Sequence, residues 1–287
     1  MRLFLAAAAL AFAASAAAQD HPAGDHSDTH VRDVAGFNQH HGKDVAAALA
    51  KENRAQDRAR DAFRHPAETI AFFHIGPHMK VGEYAPGGGW YSRVLGNYLN
   101  DKGKLVGLYF TPEDAVFDEK TREGIRKGAA GFPAQVETWT GRKAAGTQGL
   151  TLDTITDADR GTFDRIIVMR MMHNMLRWNF ADSELKAIRS LLKPGGMLGI
   201  EQHRAKANAP GDYTDGSKGY LRQKDVIGLV EAAGFELVAT SEINANPRDT
   251  ANHPEGVWEM KPSWRTKRAE LENLGESDRM TLLFRKR

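Results

Sequence analysis

The chain has 287 residues, 41% hydrophobic and 26% charged, a composition that supports a buried core and excludes a collagen-like or disordered polymer. Lys and Arg number 39 against 37 Asp and Glu, a formal charge of +2 that leaves no electrostatic footprint for nucleic acid. The absence of cysteine excludes disulfides, a zinc–cysteine centre, a thiol nucleophile and a lipoprotein anchor.

Residues 1–18 read as a secretory signal peptide. Arg2 supplies the positive start, and the apolar run from Leu3 to Ala14 falls in the h-region range of about 7–15 residues. Ala16 and Ala18 are the small residues that signal peptidase accepts, which places cleavage before Gln19. A membrane anchor needs about 20 strongly apolar residues, and this run is shorter and mostly Ala. The expected location is therefore outside the cytoplasm, in the periplasm, with no membrane insertion after cleavage.

Residues 19–44 form a polar segment rich in His and Asp (His21, Asp25, His26, Asp28, His30, His40, His41). Its spacing matches no fixed metal geometry, so it reads as a solvated terminus. A helix is expected over 45–63, stopped by His65-Pro66, and a short one over 67–73. Arg64-His65-Pro66, with Glu68 in the next turn, has two readings: a segment that closes over a bound ligand, or a cap for that short helix, the latter preferred. Strands follow at 79–84 and 104–110, around a helix at 91–99. Thr111-Pro112-Glu113-Asp114 has the order of a helix start, predicting a helix to about 127. Further strands are expected at 134–139, 163–169, 197–202, 235–243 and 279–285, with helices at 182–192 and 223–233. Strands alternating with helices define an α/β fold, a parallel sheet with helices on both faces. Residues 244–278 carry no obvious long helix and read as an insert before an antiparallel edge strand. The domain proper is then 45–287.

The first strand runs into Glu83-Tyr84-Ala85-Pro86-Gly87-Gly88-Gly89-Trp90. Strand, glycine turn and helix together form a nucleotide-type cradle, in which glycines admit close approach and the helix start offers free N–H groups. The spacing is not the dinucleotide G-x-G-x-x-G. It resembles the acidic-x-G-x-G-x-G motif of class I S-adenosylmethionine (SAM) dependent methyltransferases, with Ala85 at the first glycine position. Phe163–Met169, the turn Leu192-Lys193-Pro194-Gly195-Gly196-Met197 and the turn Ala232-Ala233-Gly234-Phe235 resemble later segments of the same superfamily. RHPAETIAFFHIGPHMKVGEYAPGGGWY, MRMMHNM, GIEQHRA and HPEGVW resemble a group of exported methyltransferases of unknown substrate. The resemblance covers about residues 64–287. It implies a Rossmann-like seven-stranded sheet, six strands parallel and the last antiparallel, and SAM as cofactor.

On that resemblance, Glu83, Ala85, Gly87, Gly88, Gly89 and Tyr109 are the cofactor-binding candidates. Tyr109 stands where the superfamily usually places an acid for the ribose, and a phenol cannot grip two hydroxyls as a carboxylate does. Glu113 or Asp114 would be the nearest replacements. Ligands of open α/β sheets bind at the C-terminal strand ends. The fourth strand ends at Arg170, His173 and Asn174, and the fifth at Glu201, His203 and Arg204. His173 or His203 is the candidate base, with Asn174 beside them. Arg170 is a candidate for the cofactor carboxylate, and Arg204, Glu201 and Trp258 for substrate. Neither histidine has metal-ligand spacing, so no metal is expected. The function implied is methyl transfer from SAM to a small molecule. The alternative is an exported, non-catalytic ligand-binding protein on the same fold. A nicotinamide oxidoreductase is disfavoured by the glycine spacing and by Tyr109.

Overall fold

The computed structural model describes residues 26–287. The expected signal peptide and residues 19–25 lie outside the described residues.

Seven strands form one sheet in the order β3-β2-β1-β4-β5-β7-β6. They are β1 Lys80–Tyr84, β2 Lys104–Tyr109, β3 Thr147–Thr151, β4 Phe163–Met169, β5 Leu192–His203, β6 Phe235–Ser241 and β7 Arg279–Lys286. Pairings β1–β2, β1–β4, β2–β3 and β4–β5 are parallel, while β7 runs antiparallel to both β5 and β6. The reversed strand is thus not at the edge, as the sequence suggested, but is inserted between β5 and β6. Its composition explains this: Arg279 to Phe284 are buried on both faces, whereas β6 is mostly half-exposed, as an edge strand can be.

The helices are α1 His26–Leu49, α2 Asp61–Arg64, α3 Pro66–Phe72, α4 Trp90–Tyr98, α5 Glu119–Thr140, α6 Met172–Arg177, α7 Ala181–Leu191 and α8 Gln223–Ala232. One sheet face packs with Leu185, Ile188 and Leu191 of α7 and Val226, Ile227 and Val230 of α8. The other packs with α1, α3, α4 and part of α5 through Phe37, Val45, Ile70, Val94, Leu95, Phe132 and Val136. Gly199 of β5 lets this second layer approach, since a Cβ there would sit 2.7 Å from the Phe73 ring.

Four expectations need correction. The segment 26–44 is not a solvated tail: it forms most of α1, which buries His30, Phe37, Val45 and Ala48 and runs past residue 45. The stretch 45–63 is correspondingly not one helix, but the end of α1, 3-10 turns at Glu52–Arg54 and Arg58–Arg60, and α2. The 111–127 helix starts later, at Glu119, where the Asp118 carboxylate accepts from the Thr121 N–H at 2.8 Å. The Thr111 N–H is instead tied to Glu184 at 3.0 Å. The expected 134–139 strand is the end of α5. Its helix buries Ile125, Ala129, Phe132 and Val136, a spacing of three and four, despite the internal Pro133. The true third strand, Thr-Gln-Gly-Leu-Thr, is short and largely polar, so it gave no apolar signal.

Candidate active site

β1 and β4 are adjacent and parallel, with Tyr84 opposite Val168, so their C-terminal ends open on the same rim. The glycine turn leaves β1 there. The backbone is left-handed at Ala85 (φ 47°), Gly87 (54°) and Gly89 (72°). The alanine at the first motif position is therefore strained, because a Cβ disfavours that region. Nothing lies within 4 Å of a Cβ built on Gly88, and on Gly87 only the Ala85 carbonyl, at 3.9 Å, does. The turn's outer surface is open. Gly89 faces the other way, and a Cβ there would overlap the Trp139 ring of α5. α4 starts directly after it with no side-chain cap, leaving its first N–H groups to a ligand.

The turn forms one wall of a cleft of about 400 Å³, within the range of small-molecule sites. Glu83, Ala85, Gly87, Gly88, Arg170, His203 and Trp258, all expected at the site, line it. Trp258 comes from the 244–278 segment, together with Val257, Met260 and Lys261, which close the opposite side.

Glu83 is buried and accepts a 2.6 Å hydrogen bond from Ser92 Oγ on α4. Burial pushes its carboxyl up to about 7 despite that bond. His203 is half-buried, its Nδ1 2.6 Å from Ser277 Oγ. Burial, with His173 and Arg170 nearby, holds its imidazole well below the ordinary range, so it is neutral. Both His203 and Ser277 line the cleft.

Other candidates are placed elsewhere. His173 and Asn174 are buried in α6 and do not line the cleft. The His173 Nδ1 lies 3.4 Å from Gln202 Oε1, and burial lowers its imidazole to about 4. Glu201 lies fully buried beneath the rim. Its carboxylate accepts from Arg170 and Arg279 at 2.9 Å and from Tyr91 at 3.2 Å. Burial would raise its pKa, but Arg279 and Arg170 outweigh that and hold it at about 2. It organises arginines rather than touching a ligand. Arg204 is spent on Asp278 and Glu242, to which it makes four hydrogen bonds of 2.6 to 3.1 Å. Tyr109 leans on α5, its ring 6.2 Å from Phe132 and packed over Gly128, outside the cleft lining. Glu113 is exposed and pairs with Arg122 and Arg126 of α5, so it does not replace the missing acid.

The sequence reading missed Arg60, Tyr91, Lys261, Glu276 and Ser277 as cleft residues; of its two readings of the Arg64 segment it preferred the helix cap, and Arg64 lines the cleft. Arg60 and Arg64 precede the first strand by some twenty residues, and only the packing of α2 against the chain before β7 brings them to Glu276. Two arginines four residues apart were the available signal.

No protein-family model matches the chain. No curated protein matches it. Solved structures do. The 4+2 cyclase SpnF is 17% identical over 83% of this chain and 85% of its own, with a TM-score of 0.51. A SAM-dependent methyltransferase from Aquifex aeolicus is 13% identical over 88% of this chain and 98% of its own, at 0.45. A SAM-dependent methyltransferase from Mesorhizobium loti is 15% identical over 74% and 92%, at 0.43. What SpnF shares with the chain is the fold. The sheet order, the glycine turn after β1 and the similarity to SpnF together define a Rossmann-like α/β fold.

Proposed function

We propose that the protein is a SAM-dependent methyltransferase acting on a small molecule. The observation that carries this is the open glycine turn at the end of β1, facing a cleft shared with the end of β4. The donor set suits the cofactor. Open Gly87 and Gly88 admit close approach, the uncapped start of α4 offers N–H groups, and Glu83 lies buried beneath the turn. The missing acid at the end of β2 makes the site a weak one.

Bound SAM would supply an electrophilic methyl on a sulfonium. The chain's part is to position the acceptor and take its proton. Neutral His203, held by Ser277, is the ring placed to accept a hydrogen bond from the methyl acceptor and orient it, a weak base because burial and the arginines disfavour its imidazolium, and Trp258 and Val257 line the cleft beside it. His173 supports His203 from behind, its ring centroid 5.7 Å away. Incubation with methyl-labelled SAM and fractionated envelope metabolites tests the activity. Label transfer that falls about 100-fold or more in His203→Asn, with SAM binding kept, supports the assignment. Unchanged transfer in that variant removes His203 from the chemistry.

A second reading, a non-catalytic binder on this fold, is favoured by Tyr109, which packs on α5 where a ribose acid is usual. SpnF, a 4+2 cyclase, supports the general point that this fold hosts more than one chemistry. Either activity would operate outside the cytoplasm if the N-terminal run is a signal. No helix among the described residues is long and apolar enough to cross a membrane. N-terminal sequencing of envelope protein decides the location: Gln19 first supports export, and a cytoplasmic product retaining Met1 overturns it.

A further inference from the structure

The cleft floor holds more positive charge than its own carboxylates offset. Four guanidiniums share two carboxylates in and beneath it, while Arg93 is paired with Asp57, Glu83 is bonded to Ser92 and Lys261 adds a further cation at the cleft. Arg60 Nε donates to Glu276 at 2.7 Å and Arg64 Nε at 3.2 Å. Arg279 Nη1 bridges Glu276 and Glu201 at 3.2 and 2.9 Å, and Arg170 Nη1 donates to Glu201 at 2.9 Å. Arg60, Arg64 and Arg170 line the cleft.

The surplus is concentrated at Arg64. Its side chain is only 5% exposed, and its guanidinium lies 4.7 Å from the centroid of the Trp90 ring, which fixes its plane. Its two terminal nitrogens have no hydrogen-bond partner among the described residues. Beside it, Arg60 Nη2 and Arg279 Nε are buried without a partner among the described residues. Burial and the charges of Arg170 and Arg60 lower the Arg64 pKa to about 10, the sign of a cation short of counter-charge. A buried cation whose one carboxylate partner is shared with two other guanidiniums is under-compensated, so a ligand anion is the natural complement.

The cofactor is the poorer complement, although the sequence placed Arg170 at its carboxylate. Its amino-acid end carries an ammonium beside its carboxylate, and its sulfonium adds another positive charge. Four arginines would repel as much of it as they attract. An acceptor of net negative charge both offsets the arginines and is drawn toward a sulfonium.

We propose that the methyl acceptor carries an oxyanion, a carboxylate or phosphate, that seats on the Arg64 fork with Arg60 and Arg170 beside it. The word acceptor rests on the methyltransferase reading; the oxyanion seat does not. The planar fork with two free nitrogens is suited to bidentate grip of such a group.

The test uses inorganic phosphate and succinate as probes, titrated by calorimetry into the mature protein at constant ionic strength, with and without S-adenosylhomocysteine. At least one probe should bind, and Arg64→Gln should weaken it about tenfold or more while Arg64→Lys recovers only part. Arg60→Gln, at a half-exposed position, provides the same comparison if Arg64 variants do not fold. Anion binding that persists with S-adenosylhomocysteine present assigns the oxyanion to the acceptor. Competition between them overturns that assignment and gives the seat to the cofactor carboxylate. If neither probe binds, or the arginine variants bind equally well, the oxyanion seat is wrong, whatever S-adenosylhomocysteine does. If the probes bind but S-adenosylhomocysteine does not, the seat stands and the methyltransferase reading falls.

Discussion

Glu83 is the residue whose replacement should act most visibly on stability. It is buried under the glycine turn, with its carboxyl pushed up to about 7. In the unfolded chain the same group ionises near 4.5. Between those values the folded state holds a proton that the unfolded state has released. Stability must therefore fall as pH rises from about 4.5 to about 7, and stay level above that. The interval corresponds to about 3 kcal/mol, an upper bound, at ~1.4 kcal/mol per tenfold change. Glu83→Gln keeps a carbonyl to accept from Ser92 Oγ and has no proton to lose. The variant should match wild type near pH 4.5 and exceed it by about 2–3 kcal/mol at pH 8, roughly 4–8 °C in Tm. Thermal unfolding followed by circular dichroism in pH steps from 4.5 to 8.5 measures this. Parallel Tm profiles for the two proteins would refute the buried-acid account of this turn.

Three further outcomes follow from the same site. Ala85 sits at φ 47°, so Ala85→Gly should stabilise the protein by about 1 kcal/mol in chemical denaturation, and a loss of stability would show that the turn is not strained. Gly87→Val should abolish SAM binding, because its methyls enter the open cleft, while the far-ultraviolet spectrum is kept; retained binding takes the turn out of the site. Tyr109→Asp should tighten SAM about tenfold by restoring a ribose acceptor, read by calorimetry, whereas weaker binding would mean that the phenol itself is an adapted contact.

The sequence carried those parts of the fold whose signals are local. β4 shows by its apolar stretch Ile166–Met169, buried throughout, and its bounds at Phe163–Met169 match. The glycine turn showed because three glycines directly after a strand have a backbone reason to be there. β3 did not show, because five largely polar residues are a strand only through pairing with β2. The place of β7 inside the sheet depended on the company of β5 and β6, which no local pattern encodes. The site divides along the same line. Glu83, Gly87 and Gly88 were named from the glycine motif and Arg170 and His203 from their strand ends, and all five line the cleft. Glu201 and Arg204 share such an end, yet the alternation of a strand turns Glu201 to the buried arginines, and two acids engage Arg204. Arg60, Arg64 and Glu276 come together from segments more than 200 residues apart, and that meeting exists only in three dimensions.

The central claim is that the turn from Ala85 to Gly89 seats SAM. Titration of SAM into the mature protein by calorimetry tests it most directly. The account predicts one site with a Kd in the tens of micromolar or weaker, about −6 kcal/mol, since no carboxylate stands at the end of β2. Absence of any binding heat at millimolar SAM, in a protein shown to be folded, would contradict it.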